Sequence, residues 1–385
     1  LEALKSQRFS EAVIGKLWRV QYEDHQPPLY YILIATMIRA NEGLDLITMR
    51  LFSLLFGGIV VWLVGVILLN LFPNRRIWAL TAAAFAAFLP QHVAILAGLN
   101  NDALAFLIVN AALFAGVILL RDGRPHPLIF GILAGAVWWI KITAAPVVAI
   151  IAAAALIVRW RLSGEGRRLI WALAWAALPA IIIAGGWWAR NLDVYDGLDI
   201  MGLGAHDAVV IGQPRTAEWI AERGLFGWLF DGIATTFRSF WGQFGWMAVP
   251  MQDWVYWALF GFTAVVIGGW AALWTKRRAF LRMLCPWQIG GLIVLGTALL
   301  VTLAEYVYYN LTFVQFQGRY LFPAMVPLAF VVAVGLWGAL RATRKRFGLR
   351  GNAARILEWL PLAVVVMLAG LDLLVLRWYI PNLAP

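Results

Sequence analysis

ITMRLFSLLFGGIVVWLVGVILLNL, residues 47–71, is an almost uninterrupted apolar run. It carries one charge, Arg50. As a helix rising 1.5 Å per residue it would cover about 37 Å, more than the roughly 30 Å hydrocarbon core of a bilayer. Further apolar runs lie at about 77–90, 102–120, 128–140, 142–158, 169–189, 254–274, 286–304, 320–340 and 357–377, which makes ten segments in all. With 63% hydrophobic and 13% charged residues, the chain cannot hide its apolar surface in a water-soluble fold. The expected fold is an all-α polytopic membrane protein.

Basic clusters set its topology. Arg75/Arg76, Arg121/Arg124, Arg159 to Arg168, Lys276 to Arg282 and Arg341 to Arg355 fall between the runs and alternate correctly if all are cytoplasmic. The opposite face then holds residues 1–46, the turn near 91–102, the loops 190–253 and 305–319, and the C-terminus. Runs 128–140 and 142–158 should form a short hairpin with Lys141 at its tip and Pro146 just beyond. PPLYYILIATMIRA, 27–40, is too short to span and reads as a juxtamembrane helix. The organisation expected is an outer-face segment 1–46 with that helix, membrane helices in 47–189, an outer amphipathic loop 190–253 rich in Trp, Gly and Phe, and membrane helices in 254–385.

The net charge of +11 and pI near 10.1 come from clusters at the ends of apolar runs, so they are topology signals rather than a nucleic-acid footprint. The lone cysteine, Cys285, excludes an intrachain disulfide framework and a cysteine-based metal cage. The chain opens at Leu1 with a mixed-charge amphipathic stretch, which reads as an N-terminally truncated fragment.

Two sets of residues on the proposed outer face could carry chemistry. Glu23, Asp24 and His25 precede Pro27–Pro28, and Asn100, Asn101 and Asp102 open a membrane helix. A carboxylate here could take a proton from a hydroxyl, or with His25 hold a divalent cation such as Mg, Mn or Zn. The competing reading of Asn-Asn-Asp is helix capping, and that of Glu-Asp-His a solvated turn before a proline-initiated helix. The second set is cationic: Lys141, Arg190 in WWARN and Arg319 in QFQGRY. Such groups could meet a lipid-linked phosphate at headgroup level, although an interfacial arginine can also simply snorkel. His92, His126 and His206 read as structural or solvated, and Asn310-Leu311-Thr312 is an isolated glycosylation sequon. P-loop, dinucleotide, HExxH and GxSxG motifs are absent from the sequence, so no nucleotide cofactor is expected and the reagent should already reside in the membrane.

HQPPLYY (25–31), LPQHVAILAGLNNDALA (89–105), WWIK (138–141), WWARN (187–191), SFWGQFGW (239–246) and QGRYLFP (317–323) make the chain resemble the bacterial GT-C membrane glycosyltransferases, nearest the protein-mannosyltransferase and aminoarabinose-transferase group. The resemblance runs over nearly the whole chain. It implies a GT-C-like helical bundle in the plasma membrane that transfers a sugar, with inversion, from a polyprenyl-phosphate carrier to a protein, lipid or glycan acceptor at the extracytoplasmic face. It makes Asp102 the acidic residue of the second outer loop. His25 and Gln26 stand where other members carry acid and lysine, which departs from the family pattern. The family's first membrane helix and its acidic motif would lie before Leu1. The expected roles are then Asp102 and Asp24 in catalysis, Arg190, Arg319 and Lys141 on the donor phosphate, and His25, Gln26, Asn101, Asn191, Gln317 and Tyr320 around the substrate. Asp102 and His25 are the candidate metal ligands. The rival readings are a transporter or flippase of lipid-linked sugars and a non-catalytic scaffold subunit.

Overall fold

A computed structural model of the protein describes residues 25–40, 45–164, 166–195, 197–210, 213–275, 277–348, 351 and 356–378. Helix α1 (Leu29–Ala40) is the short apolar helix expected after Pro27–Pro28, and the Tyr30 hydroxyl hydrogen bonds to Ser53 of α2 (Leu46–Leu71). Asp45 caps α2 by accepting the Thr48 N–H at 2.7 Å. α3 (Arg76–Phe88) and α4 (Pro90–Leu96) meet at a 66° bend at Leu89–Pro90, where proline cannot donate to the preceding turn.

α5 (Asp102–Asp122) is followed by α6 (Leu128–Ala136), which continues as a 3₁₀ turn, Val137–Trp139. The chain breaks at Lys141 (φ −157°, ψ 119°) and re-forms as a 3₁₀ turn, Ile142–Ala144, and α7 (Ala145–Ser163). This is the expected hairpin, with Lys141 at its tip. α8 (Gly166–Val194), α9 (Leu203–Val209) and α10 (Thr216–Trp241) come next, then a two-stranded hairpin, β1 (Gln243–Phe244) with β2 (Val249–Pro250). The chain goes on through α11 (Asp253–Trp274), α12 (Arg277–Arg282), α13 (Pro286–Thr312), a 3₁₀ segment (Gly318–Ala324), α14 (Met325–Arg346), α15 (Leu360–Val366) and α16 (Leu368–Trp378).

Among the described residues eight helical stretches are long and apolar enough to cross a membrane, or nine if the bent α3–α4 pair is one span. The chain is an all-α polytopic membrane protein. Its outer surface carries the apolar side chains that a soluble protein would bury, Ile182 of α8 being 68% exposed, as expected where lipid is the solvent. Helices are held together by close approach of small residues. A Cβ on Gly269 of α11 would fall 1.7 Å from the Gly335 carbonyl oxygen of α14.

The helices alternate so that the basic clusters gather at one end. Arg121 hydrogen bonds to Asn70, the Gln288 amide donates to the Leu71 carbonyl at 2.7 Å, and Arg75 lies over the Trp337 ring. Asp102, Lys141 and Arg319 occupy the other end.

Two expected boundaries are corrected. The segment 190–253 supplies no candidate span of its own but is largely helical: α8 carries Arg190 and Asn191 within its last turns, and α10 is a 26-residue helix broken at Gly224 (φ 70°, ψ 167°). The segment 305–319 is helical as far as Thr312, because a 27-residue helix of about 40 Å outruns the hydrocarbon and continues into the interface.

Candidate functional site

The centre of the Asp102 end is an ion pair between two breaks in the helices. At the start of α5, the Asn100 side-chain oxygen accepts the Asp102 N–H at 2.9 Å, while Asn101 makes no side-chain cap. Capping therefore does not occupy Asn101 or Asp102. Asn101 instead reaches the hairpin tip, its amide donating to the Ile140 carbonyl at 2.8 Å and its oxygen accepting from Lys141 Nζ at 3.4 Å. Lys141 Nζ also donates to Asp102 Oδ1 at 2.5 Å, with the two side chains 18% and 9% exposed. A lysine at this depth would be costly alone, and its partner is the carboxylate of the neighbouring helix.

Arg319 is the second cation acting on Asp102. It follows Gly318, whose N–H donates to Ser239 Oγ at 2.8 Å and where a Cβ would sit 2.3 Å from the Phe240 nitrogen. Only glycine lets the QGRY backbone lie this close to α10, and that contact sets the position of Arg319. The guanidinium lies over Trp246 and Tyr320, 5.6 and 5.3 Å from the ring centroids. Trp246 sits at the tip of the β1–β2 hairpin with φ 55°, a left-handed conformation that bulky residues seldom adopt. The Gln243 N–H at the hairpin base donates to the Gln91 side chain at 2.8 Å.

A second cluster forms where α8 ends. Arg190 donates to Asn191 Oδ1 and to the Tyr195 hydroxyl, both at 2.9 Å, and lies 5.1 Å from the Trp187 and Tyr195 centroids. The Asn191 amide donates to the Ile200 carbonyl at 2.7 Å, which makes this buried asparagine a brace for the following turn. Buried His25 meets buried His206 with ring centroids 4.5 Å apart, and the Gln26 amide is 3.2 Å from His25 Nε2. Gly202 (φ 67°) packs under them, a Cβ there falling 2.7 Å from that of His25. Ring contacts run from His206 through Phe313 and Tyr309 to Tyr320, beside Arg319, so the two clusters share one end of the bundle. Tyr30 completes this end. Burial pushes its hydroxyl above the ordinary value, with Ser53 and the Asn100 backbone pulling the other way.

The expected residues are thus distributed unevenly. Asp102, Lys141, Asn101 and Arg319 form one group, and Arg190, Asn191, His25 and Gln26 belong to the second. Gln317 bonds to Gln315 at 2.6 Å, and Tyr320 serves Arg319 as a stacking surface. Asp24, like Glu23, lies outside the described residues. Among the described residues no three His, Cys, Asp or Glu side chains gather as a metal-ligand group, and Asp102 and His25 lie in different clusters. His92 is fully buried and its Nδ1–H donates to the Ala86 carbonyl at 2.7 Å, bolting the α3–α4 bend. His126 packs edge-on to Trp175 at the basic end.

His206 is structural, as expected, and its partner is the ring of His25. One residue escapes sequence reasoning. Glu305, assigned to a loop, lies inside α13, where its Oε1 and the Thr302 Oγ1 are buried without a hydrogen-bond partner among the described residues. A carboxylate within an apolar run (LVTLAEYVYY) was the available signal.

No curated protein and no solved structure matches the chain. The sequence profile described as a predicted membrane protein, DUF2142, matches residues 12–329, more than four fifths of the length. With that coverage, and with a helical membrane bundle to match the description, the chain belongs to the DUF2142 family of predicted membrane proteins.

Proposed function

We propose that the Asp102 end is a glycosyl-transfer site that takes a sugar from a polyprenyl-phosphate carrier and passes it, with inversion, to a hydroxyl-bearing acceptor at the extracytoplasmic face of a plasma membrane. The supporting observation is the pairing of Asp102 with Lys141 beside Arg319: one carboxylate and two cations from three distant stretches at one end of the bundle. In the reaction the bond from the anomeric carbon to the phosphate oxygen breaks and its electrons go to the phosphate. The acceptor oxygen bonds to that carbon from the opposite face, and its proton passes to a carboxylate.

The ion pair gives these groups an order of action. While Lys141 holds Asp102, neither is available to a substrate. A donor phosphate beside Arg319 draws Lys141 toward itself, because charge-assisted contacts to phosphate compete with those to a carboxylate. Asp102 then loses its partner and becomes able to accept the acceptor's proton, while Lys141 and Arg319 stabilise charge developing on the leaving phosphate.

The test uses the protein in membranes supplied with radiolabelled polyprenyl-phosphate sugars. Arg319→Ala should reduce transfer to acceptor by at least about 100-fold, the scale of losing one preorganised charge stabiliser, with membrane insertion intact. Unchanged transfer removes Arg319 from the mechanism. One observation favours a second reading: Glu305, a carboxylate within a membrane helix, is a feature of transport pathways. Movement of unaltered carrier across the bilayer, without transfer, would support the transporter reading.

A further inference from the structure

At the basic end of the bundle, opposite Asp102, a cavity of roughly 440 Å³ opens between the start of α3 and the end of α14. Arg75, Arg341, Arg344 and Lys345 line it, against one carboxylate, Glu358. Its wall is Trp337, and the guanidinium groups of Arg75 and Arg341 each lie 5.3 Å from that ring's centroid. Trp337 is braced edge-on, 5.3 Å between centroids, by the buried Trp78, over which Arg75 also lies at 5.5 Å. Arg344 holds Glu358 at 3.3 Å. Arg75 is also the capping residue of α3 and makes no side-chain cap hydrogen bond, so the positive end of that helix dipole adds to the same field.

Membrane topology requires only that cations be numerous at this end. It does not require residues some 260 positions apart in the chain to place two like charges against one indole. Two guanidinium groups stacked on one ring are placed to share an anion, whose charge would offset their mutual repulsion. Guanidinium pairs suit phosphate oxygens, and the rigid aromatic wall fixes their planes.

We propose that this cavity binds a phosphate group, held by Arg75 and Arg341 on Trp337 and by Lys345, with Arg344 recruited from Glu358. An anionic lipid headgroup and a soluble phosphate compound share this chemistry. The position at the ends of membrane helices, with apolar Leu340 in the lining, favours the lipid.

The experiment uses the full chain in phosphatidylcholine bicelles, titrated with phosphatidylglycerol in one arm and inorganic phosphate in the other. Binding is read by thermal shift and by native mass spectrometry. The double variant Arg75→Gln/Arg341→Gln should weaken binding by at least about tenfold, as expected for the loss of charge-assisted contacts. Arg277→Gln, which removes a cation stacked on Trp274 outside the cavity, should leave it unchanged. Glu358→Gln should tighten it by freeing Arg344. This pattern with phosphatidylglycerol supports the lipid headgroup, and the same pattern with inorganic phosphate alone identifies a soluble ligand. No saturable binding of either probe, equal weakening by the double variant and Arg277→Gln, or no tightening by Glu358→Gln overturns the proposal.

Discussion

Replacing either member of the Asp102–Lys141 pair isolates the interaction on which the proposed site depends. The contact is 2.5 Å long, and at 18% and 9% exposure water screens it poorly. Deleting one partner of a buried pair strands the other charge and costs about 3–5 kcal/mol; because Lys141 keeps some access to solvent, the lower figure, about 3 kcal/mol, applies here. Asp102→Asn and Lys141→Met should therefore each destabilise the protein by about 3 kcal/mol, while the double variant loses little more than either alone. The resulting coupling energy is about 3 kcal/mol. Reversible unfolding in mixed micelles, followed by tryptophan fluorescence at several denaturant strengths, measures all corners of the cycle. Single losses below about 1 kcal/mol that add in the double variant would mean a solvent-screened contact, and the exchange mechanism would fall with it.

Gly318→Ala forces a Cβ to 2.3 Å from the Phe240 nitrogen, so the QGRY backbone must shift. A loss of about 1–3 kcal/mol in the same unfolding assay is expected, together with impaired transfer, and wild-type stability would contradict the packing described. Cysteines introduced at exposed Leu99, on the turn that leads into Asp102, and at 319 should react with an impermeant maleimide from one side of the membrane, and exposed Cys285, at the basic end, from the other. Labelling of 99 and 319 from opposite sides would refute a common site. Glu305→Gln should leave glycosyl transfer within about twofold, since Glu305 makes no side-chain hydrogen bond to Asp102, Lys141 or Arg319; a large loss of transfer would draw Glu305 into the mechanism.

The spans were legible because hydropathy over some 20 residues needs no knowledge of partners. The break at Lys141 could also be read, since two short runs flanked a single charge. What failed was local polarity taken as a sign of loop. Glu218, Glu222, Arg223 and Asp231 lower the hydropathy of α10 without preventing a helix. Glu305 and Tyr306 ended an apolar run while the backbone of α13 stayed helical as far as Thr312. The site residues could be listed from the sequence but not matched. Asp102 and Lys141 are 39 positions apart, and their pairing follows from how α5 packs on the hairpin. His206 sits in a glycine-rich stretch that hides a specific ring contact to His25.

The Asn101 amide latches the first turn of α5 to the Ile140 carbonyl. Since the two backbones are tied there, separating Lys141 from Asp102 calls for neither hinge nor sliding helix. A swing of the lysine side chain within a fixed frame suffices. In the proposed mechanism, turnover would then be paced by rupture of one ion pair and by the arrival and departure of a greasy carrier, with the fold itself staying shut.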